Sequence, residues 1–243
     1  MRTTRIYHPR QLNMGERVML DELAAHHIVS VLRFKLGDEF ILFDGQDKEY
    51  QVRIERVLKK QVEVHVLNVE DICRESGLKI HLAQGIAKGD RWTYSLQKAV
   101  ELGVDEITPL WTQHVAYKWD KNIDEKKLEQ WQAIIVSACE QSGRTRIPKL
   151  HPMCSYDVFV SNLSSGNRVI LHPGQTSHWK QMTWDNNMDC TVLVGPEGGF
   201  SSAEYAHAVQ NGFQSLTLGP RILRTETAVV SALSLLQALH GDL

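Results

Sequence analysis

The 243-residue chain lacks any apolar run approaching the ~18–20 residues that a membrane-crossing helix needs. The arginines of the opening stretch, Arg2, Arg5 and Arg10, are not followed by the apolar segment of a secretion leader, so a cytoplasmic protein with no membrane contact is expected. Cysteine is scarce. Cys73, Cys139, Cys154 and Cys190 are far apart and form no Cys-x-x-Cys pair, which speaks against a disulfide framework and for reduced thiols. His26 and His27 are adjacent and cannot both face one ion from a helix; no second pair is spaced for zinc, so no metal is expected. Neither G-x-G-x-x-G nor G-x-x-x-x-G-K-[ST] occurs, leaving a dinucleotide or nucleoside triphosphate site unsupported. Internal repeats and low-complexity segments are also missing. A net charge of −2 argues against a protein that coats nucleic acid without preference. It leaves room for local basic patches, around the first arginines and around Arg144, Arg146 and Lys149.

What is present falls into two halves, 1–72 and 73–243, with different periodicities. In the first, Glu39 to Phe43 leads into an Asp44-Gly45 turn, and Tyr50 to Val57 and Val62 to Val66 alternate apolar with polar residues. Period two buries one face and wets the other, as in a small antiparallel barrel. One helix interrupts, capped by Asp21, with Leu23, His27, Val31 and Phe34 expected along its inner side. In the second half, a strand at Leu78–Ala83, a turn at Lys88-Gly89-Asp90, a helix stopping at Gly103 and a strand at Ile107–Leu110 make a β-α-β unit. A long helix follows, with Leu128, Trp131, Ile135 and Ala138 on one side and Gly143 at its end. Three more strands are expected at Val169–Leu171, Thr191–Val194 and Leu216–Leu218. Each runs into a glycine- or proline-bearing loop: His172-Pro173-Gly174, Gly195 to Gly199, and Gly219-Pro220. Ligands of open α/β sheets bind beyond the carboxyl ends of the strands, so three such ends point to one site.

The loops have distinct chemistry. Gly195-Pro196-Glu197-Gly198-Gly199 precedes a capping box made by Ser201 and Glu204, and its glycines let a flat ligand approach the backbone; a plain tight turn explains the same residues. Leu218 to Ala228 places the apolar pair Ile222-Leu223 where loops are normally polar, which suits an adenine ring. Arg224 stands at the mouth of the last helix, which Thr225 can cap. A cation is disfavoured at a helix amino end. Its use is then either an RNA phosphate or substrate base, or an ion pair with Glu226 or Glu197. The last helix, Thr227 to Leu239, is apolar nearly all round, with a narrow stripe of Thr227, Ser231, Ser234 and Gln237; core packing and an oligomer interface both fit.

Taken together, Arg5 to Pro9, His27-Ile28 with Val31-Leu32-Arg33, Phe43-Asp44-Gly45, Lys98 with Glu101-Leu102-Gly103, Cys139 to Arg144, Leu171-His172-Pro173, the Gly195 loop and Leu223 to Ala228 resemble the 16S ribosomal RNA uridine N3-methyltransferases, the RsmE family of the SPOUT class. The resemblance implies an α/β protein: a PUA-like β-barrel RNA-binding domain (1–72) and a trefoil-knot parallel-sheet domain (73–243), assembled as a homodimer. It implies S-adenosyl-L-methionine as cofactor and 16S rRNA of the small subunit as partner. The cofactor pocket would comprise Leu171, His172, Gly195, Pro196, Glu197, Gly198, Gly199, Leu218, Gly219, Pro220, Ile222, Leu223 and Arg224. Arg5, His8, Arg33 and Arg144 are the expected RNA contacts. Uridine N3 is a poor nucleophile while protonated, so either a base removes the proton or positive charge stabilises the anion. Arg224 is the expected electrostatic catalyst, and Glu197, Glu226 and Glu140 are the candidate bases. The other readings are a SPOUT enzyme with a different RNA target and a non-catalytic RNA-binding assembly protein.

Overall fold

The computed structural model describes residues 4–115, 121–163, 166–173, 179–185 and 189–243. These form two compact units, 1–75 with 139–147, and 76–138 with 148–243.

The first unit holds β1 (Arg5–Tyr7), β2 (Arg17–Leu20), the short helix α1 (Glu22–His26), β3 (Glu39–Phe43), β4 (Lys48–Val57) and β5 (Val62–Asp71). The five strands lie in the order β1-β3-β4-β5-β2. All pair antiparallel except β1 with β3. The period-two pattern does what it should: Tyr50, Val52 and Ile54 of β4 and Val62, Val64 and Val66 of β5 enter one core with Leu20, Phe40 and Leu42. At the β3–β4 turn Gly45 takes φ +81°, and Asp44 holds the turn by accepting from the Gln46 amide and the Tyr50 hydroxyl at 2.7 and 3.0 Å.

The helix differs from expectation. Asp21 does cap it, accepting from the Ala24 amide at 2.8 Å, but α1 lasts one turn and passes into a π-helical turn, His27–Val31. Leu23 and Val31 are 84% and 59% exposed, while Ala25 and Ile28 are buried. A π turn holds one residue more than an α turn. That residue shifts the phase of the side chains beyond it, and the inward face runs through Ala25, Ile28 and Leu32.

The segment 139–147 is held in this unit by charge. The Arg5 guanidinium pairs with Glu49 at 2.8 Å, donates to the Cys139 and Arg144 carbonyls at 3.0 and 3.1 Å, and stands over the Phe43 ring. Arg74 shares Glu49 at 2.5 Å. Arg144 pairs with Glu75 and Arg146 with Asp47, and Glu140 accepts from the Tyr7 amide at 3.0 Å.

The second unit runs β6 (Lys79–Gly85), α2 (Asp90–Glu101), β7 (Val104–Trp111), α3 (Lys121–Ser142, whose last turn belongs to the first unit), β8 (Lys149–Leu150), β9 (Cys154–Ser155), α4 (Tyr156–Ser161), β10 (Asn167–Leu171), β11 (Asp189–Val194), α5 (Ser202–Gln210), β12 (Gln214–Leu216) and α6 (Thr225–His240). Its strands lie in the order β12-β10-β11-β6-β7-β8, with β9 also on β7, and every pair is parallel. Parallel strands covered on both faces read as unbroken apolar runs, which is why Cys190 to Val194 is buried throughout. α4 and α5 pack on one face through Tyr156, Val160 and Ala208 against Ala83, Ile170 and Leu193. α2 packs with α6, and Trp92 meets Trp131 of α3 at 5.1 Å.

One feature of α6 corrects expectation, and another decides for core packing at one residue where two readings stood open. Its cap is Arg224, without a side-chain bond, and Thr225 is the first helical residue. Gln237 of the small-residue stripe is core: it is 1% exposed, donates to the Leu102 carbonyl at 3.0 Å and accepts from Ser76 at 2.8 Å. No helix among the described residues is long and apolar enough to cross a membrane.

Removing one member of a buried ion pair strands the other charge and costs about 3–5 kcal/mol. Glu49→Ala should therefore shift the urea midpoint of the first unit strongly. Arg17→Ala, which breaks the Arg17–Glu55 pair with its largely exposed arginine, should leave it unchanged within error.

Candidate active site

Strand order builds the site. β12, β10 and β11 are neighbours and parallel, so the loops after them leave the sheet at the same edge. They enclose a cavity of about 650 Å³ lined by Arg91, Leu171, His172, Pro173, Val194, Gly195 to Gly199 and Leu216 to Glu226, with Ala228. Every residue expected in the pocket is on this wall: Leu171 and His172; Gly195, Pro196, Glu197, Gly198 and Gly199; Leu218, Gly219, Pro220, Ile222, Leu223 and Arg224. Gly174 lies outside the described residues, as does Arg2.

The glycines have separate reasons. A Cβ on Gly195 would stand 2.9 Å from Gly199, and one on Gly85, at the end of β6, would stand 2.5 Å from Pro196, so strand end and loop touch backbone to backbone. Gly199 and Gly219 take φ of +68° and +87°, and among the described residues, their own chain neighbours aside, no atom lies within 4 Å of where their Cβ would be. They keep the cavity wall low. Leu171, Val194, Leu216, Leu218, Ile222 and Leu223 give the wall its apolar part, and Ile222 stands 86% exposed. Opposite, the His172 ring lies against Tyr205, with centroids 4.4 Å apart.

Glu197 is not free. Its carboxylate accepts from the Lys88 amide at 2.8 Å and pairs with Arg91 at 3.3 Å. Burial alone would raise its pKa, but the Lys88 amide and Arg91 outweigh it and hold the group below its ordinary range. A carboxylate so held is a weak base and a good clamp between the loop after β6 and the loop after β11. On the other side of the turn, His114 Nδ1 lies 3.1 Å from both the Gly198 and Gly199 carbonyls. Carbonyls only accept, so Nδ1 carries the proton.

Behind the cavity is a buried polar chain. Thr225 donates its hydroxyl to the Gly195 carbonyl at 2.6 Å, and Gln84, fully buried on β6, donates to Thr225 and to Ser95 of α2 at 3.3 Å each.

Arg224 faces the cavity and is exposed; among the described residues its side chain makes no ion pair, while the expected partner Glu197 is taken by Arg91. Glu226 also lines the cavity, and its Oε2 is buried with no hydrogen-bond partner among the described residues. Glu140 is not on the cavity wall; burial pushes its carboxyl up while the Tyr7 amide opposes the shift.

The residues expected to touch RNA separate into two kinds. Arg5 and Arg144 have side chains 9% and 6% exposed, with their donors spent on Glu49, Glu75 and carbonyls. Arg33 is exposed and takes φ +61°, a left-handed conformation unusual for a side chain of this size. His8 is half-buried, and its Nε2 has no partner among the described residues.

Sequence reasoning missed Arg91, His114, Gln84 and Thr225 in these roles. Arg91, His114 and Gln84 lie on or beside loops or strand ends that only the order β11-β6-β7 brings to the Gly195 loop, and Thr225 reaches it from the start of α6. Lys88-Gly89-Asp90 was visible as a helix start, but nothing in its spacing pointed across to residue 197.

The clamp has a pH signature. A carboxylate with a depressed folded pKa contributes stability that is complete above its ordinary value of 4.5 and lost as pH falls through the lower folded value. The difference in Tm between the native chain and Glu197→Gln should be constant above that value and shrink below it. A difference independent of pH would show that the clamp is not ionic.

Among known proteins, the RNA methyltransferase domain family matches residues 74–237 and the RNA methyltransferase PUA domain family matches 20–67. The chain is 34% identical to the ribosomal RNA small subunit methyltransferase E of Buchnera aphidicola from Schizaphis graminum, covering 100% of this chain and 98% of the relative. The Bacillus subtilis protein of that name is 29% identical over 89% of this chain and 90% of its own. A Legionella pneumophila structure holding S-adenosylmethionine matches at 46% identity, TM-score 0.96, over 100% of both chains. The small subunit methyltransferase E of Neisseria gonorrhoeae, also bound to S-adenosylmethionine, matches at 35%, TM-score 0.92, over 99% of each. The chain joins an RNA methyltransferase domain to a PUA domain and belongs to the ribosomal RNA small subunit methyltransferase E family.

Proposed function

We propose that this protein transfers the methyl group of S-adenosylmethionine to N3 of a uridine in 16S rRNA, in the cytoplasm. The observation that carries the reading is the convergence of three parallel-strand ends on one glycine-lowered cavity with an apolar side. Gly199 and Gly219 leave room there for a flat group, Leu171, Leu218, Ile222 and Leu223 supply apolar cover for an adenine, and the volume of about 650 Å³ suits a ligand of this size. Crystallised relatives bind the same cofactor.

Bound there, S-adenosylmethionine supplies an electrophilic methyl group on a sulfonium. In the reaction the uridine N3–H proton passes to solvent water, the N3–carbon bond forms, and the sulfur–carbon bond breaks with its electron pair staying on sulfur, which departs as the neutral thioether S-adenosylhomocysteine. Arg224, charged, exposed at the cavity and without an ion pair among the described residues, stabilises the negative charge that develops on the ring as N3 loses its proton. Glu197 acts through the loop that it clamps, and Glu226 stands where an incoming donor would meet it. Orientation of the two reactants contributes the rest.

The first unit is the RNA-binding, PUA-like part in this reading. Arg33 and His8 face the RNA, whereas Arg5 and Arg144 shape the unit that presents them. The second unit carries the trefoil knot of the SPOUT class, and the protein is a homodimer. An apolar hollow of about 200 Å³ between Trp179, Trp184 and the outer side of α6 supports the dimer, as does Leu239, 42% exposed beside it.

Mass spectrometry of 16S rRNA from cells lacking the protein should show loss of one N3-methyluridine. Primer extension should lose a stop at one uridine, since N3 methylation blocks pairing and ribose methylation does not. Arg224→Ala should lower kcat on small subunits by about 10²-fold or more. Unchanged N3-methyluridine would overturn the assignment, and near-normal turnover by Arg224→Ala would overturn the role of the arginine.

A further inference from the structure

We propose that His81, Glu106 and His151 form a site for one divalent transition-metal ion, zinc foremost, at the end of the second unit's sheet away from the cavity. The site is independent of methyl transfer. It arises from register. β6 and β7 slip by one residue between Ile80 and His81, which leaves Asp105 unpaired and sets Glu106 directly against His81. β8 then pairs Lys149 with Glu106, and His151, two residues on, projects from the same face. Two neighbouring strands, β6 and β7, and the residue that follows β8 thus contribute one ligand each.

The donor set is two imidazoles and a carboxylate, the nitrogen and oxygen chemistry that zinc takes in three-ligand sites with an open fourth position. One ligand atom from each residue lies within 4.8 Å of the other two. Donors about 2.0–2.1 Å from a tetrahedral ion stand roughly 3.4 Å apart, so closure asks for side-chain shifts of about an ångström. His151 Nε2 and Glu106 Oε2 are already 2.5 Å apart, and the His81 and His151 rings stack with centroids at 5.2 Å. The second layer that ligating imidazoles require is there too: Thr108 Oγ1 holds His81 Nε2 at 2.7 Å, and the Phe159 edge packs on that ring. Side-chain exposures of 25% for His151 and 45% for Glu106 leave room for a water as fourth ligand. Lys149 projects from the same face and opposes a cation. An ion here would fasten the two-residue strand β8 to β6 and β7.

The test is titration of the metal-free full chain with zinc against a chromophoric chelator, with cobalt as spectroscopic probe. The expected result is one equivalent bound with a Kd below about 1 µM and intense tetrahedral cobalt bands. Binding should weaken at least about 100-fold in His151→Ala and in Glu106→Gln. Lys149→Ala should tighten it several-fold, a gain that general damage cannot produce. Zinc should raise the Tm of the native chain and not of His151→Ala. Absence of stoichiometric binding, or binding that survives in His81→Ala/His151→Ala, would overturn the site; if His81→Ala does not fold, survival in His151→Ala and Glu106→Gln does the same.

Discussion

The hydroxyl of Thr225 and the carbonyl of Gly195, 2.6 Å apart and shut from water, hold the candidate site in register. A buried carbonyl left without a donor costs about 1–3 kcal/mol, so the bond is not optional once β11 ends inside the protein. Because Gln84 donates to the same threonine and to Ser95, one hydroxyl joins β6, α2, β11 and α6. One of the three cavity loops starts at Gly195 and another ends at Thr225. Their walls move together or not at all, and a binding site gains preorganisation from that. Glu197 and His114 repeat the device at the rim, fixing the far side of the Gly195 turn to the loops after β6 and β7.

Legibility in the sequence depends on which physics is local. The strands of the second unit could be read because parallel strands covered on both faces must be apolar end to end, and because glycine and proline stop them. The cavity residues could be read because each comes just after such a stop. Strand order is not local. Nothing near Arg91 says that its neighbour will be Glu197, and nothing near Gln84 says that it will meet Thr225. The same limit hid the grouping of His81, Glu106 and His151, which share no spacing and meet only through a one-residue slip between β6 and β7.

Charge was the least legible property. Arginines near the start of the chain read as a basic patch, since a formal charge carries no direction. In the folded unit Arg5 is turned inward and divided among Glu49 and two carbonyls, and Arg144 is turned onto Glu75. Buried ion pairs add little net stability against well-packed apolar residues, but they penalise every arrangement that separates them. That penalty is a specification: it fixes which segment, 139–147, completes the first unit, although almost seventy residues separate it from β5.

The π turn at His27–Val31 makes a specification of another kind. Each residue added to a helix rotates the chain beyond it by roughly 100°. The direction in which Leu32 and Arg33 leave the helix is therefore stored in a length and not in a contact. Substitution along the exposed side of that turn leaves the aim intact, whereas losing or gaining a single residue re-points the arginine with every side chain unchanged.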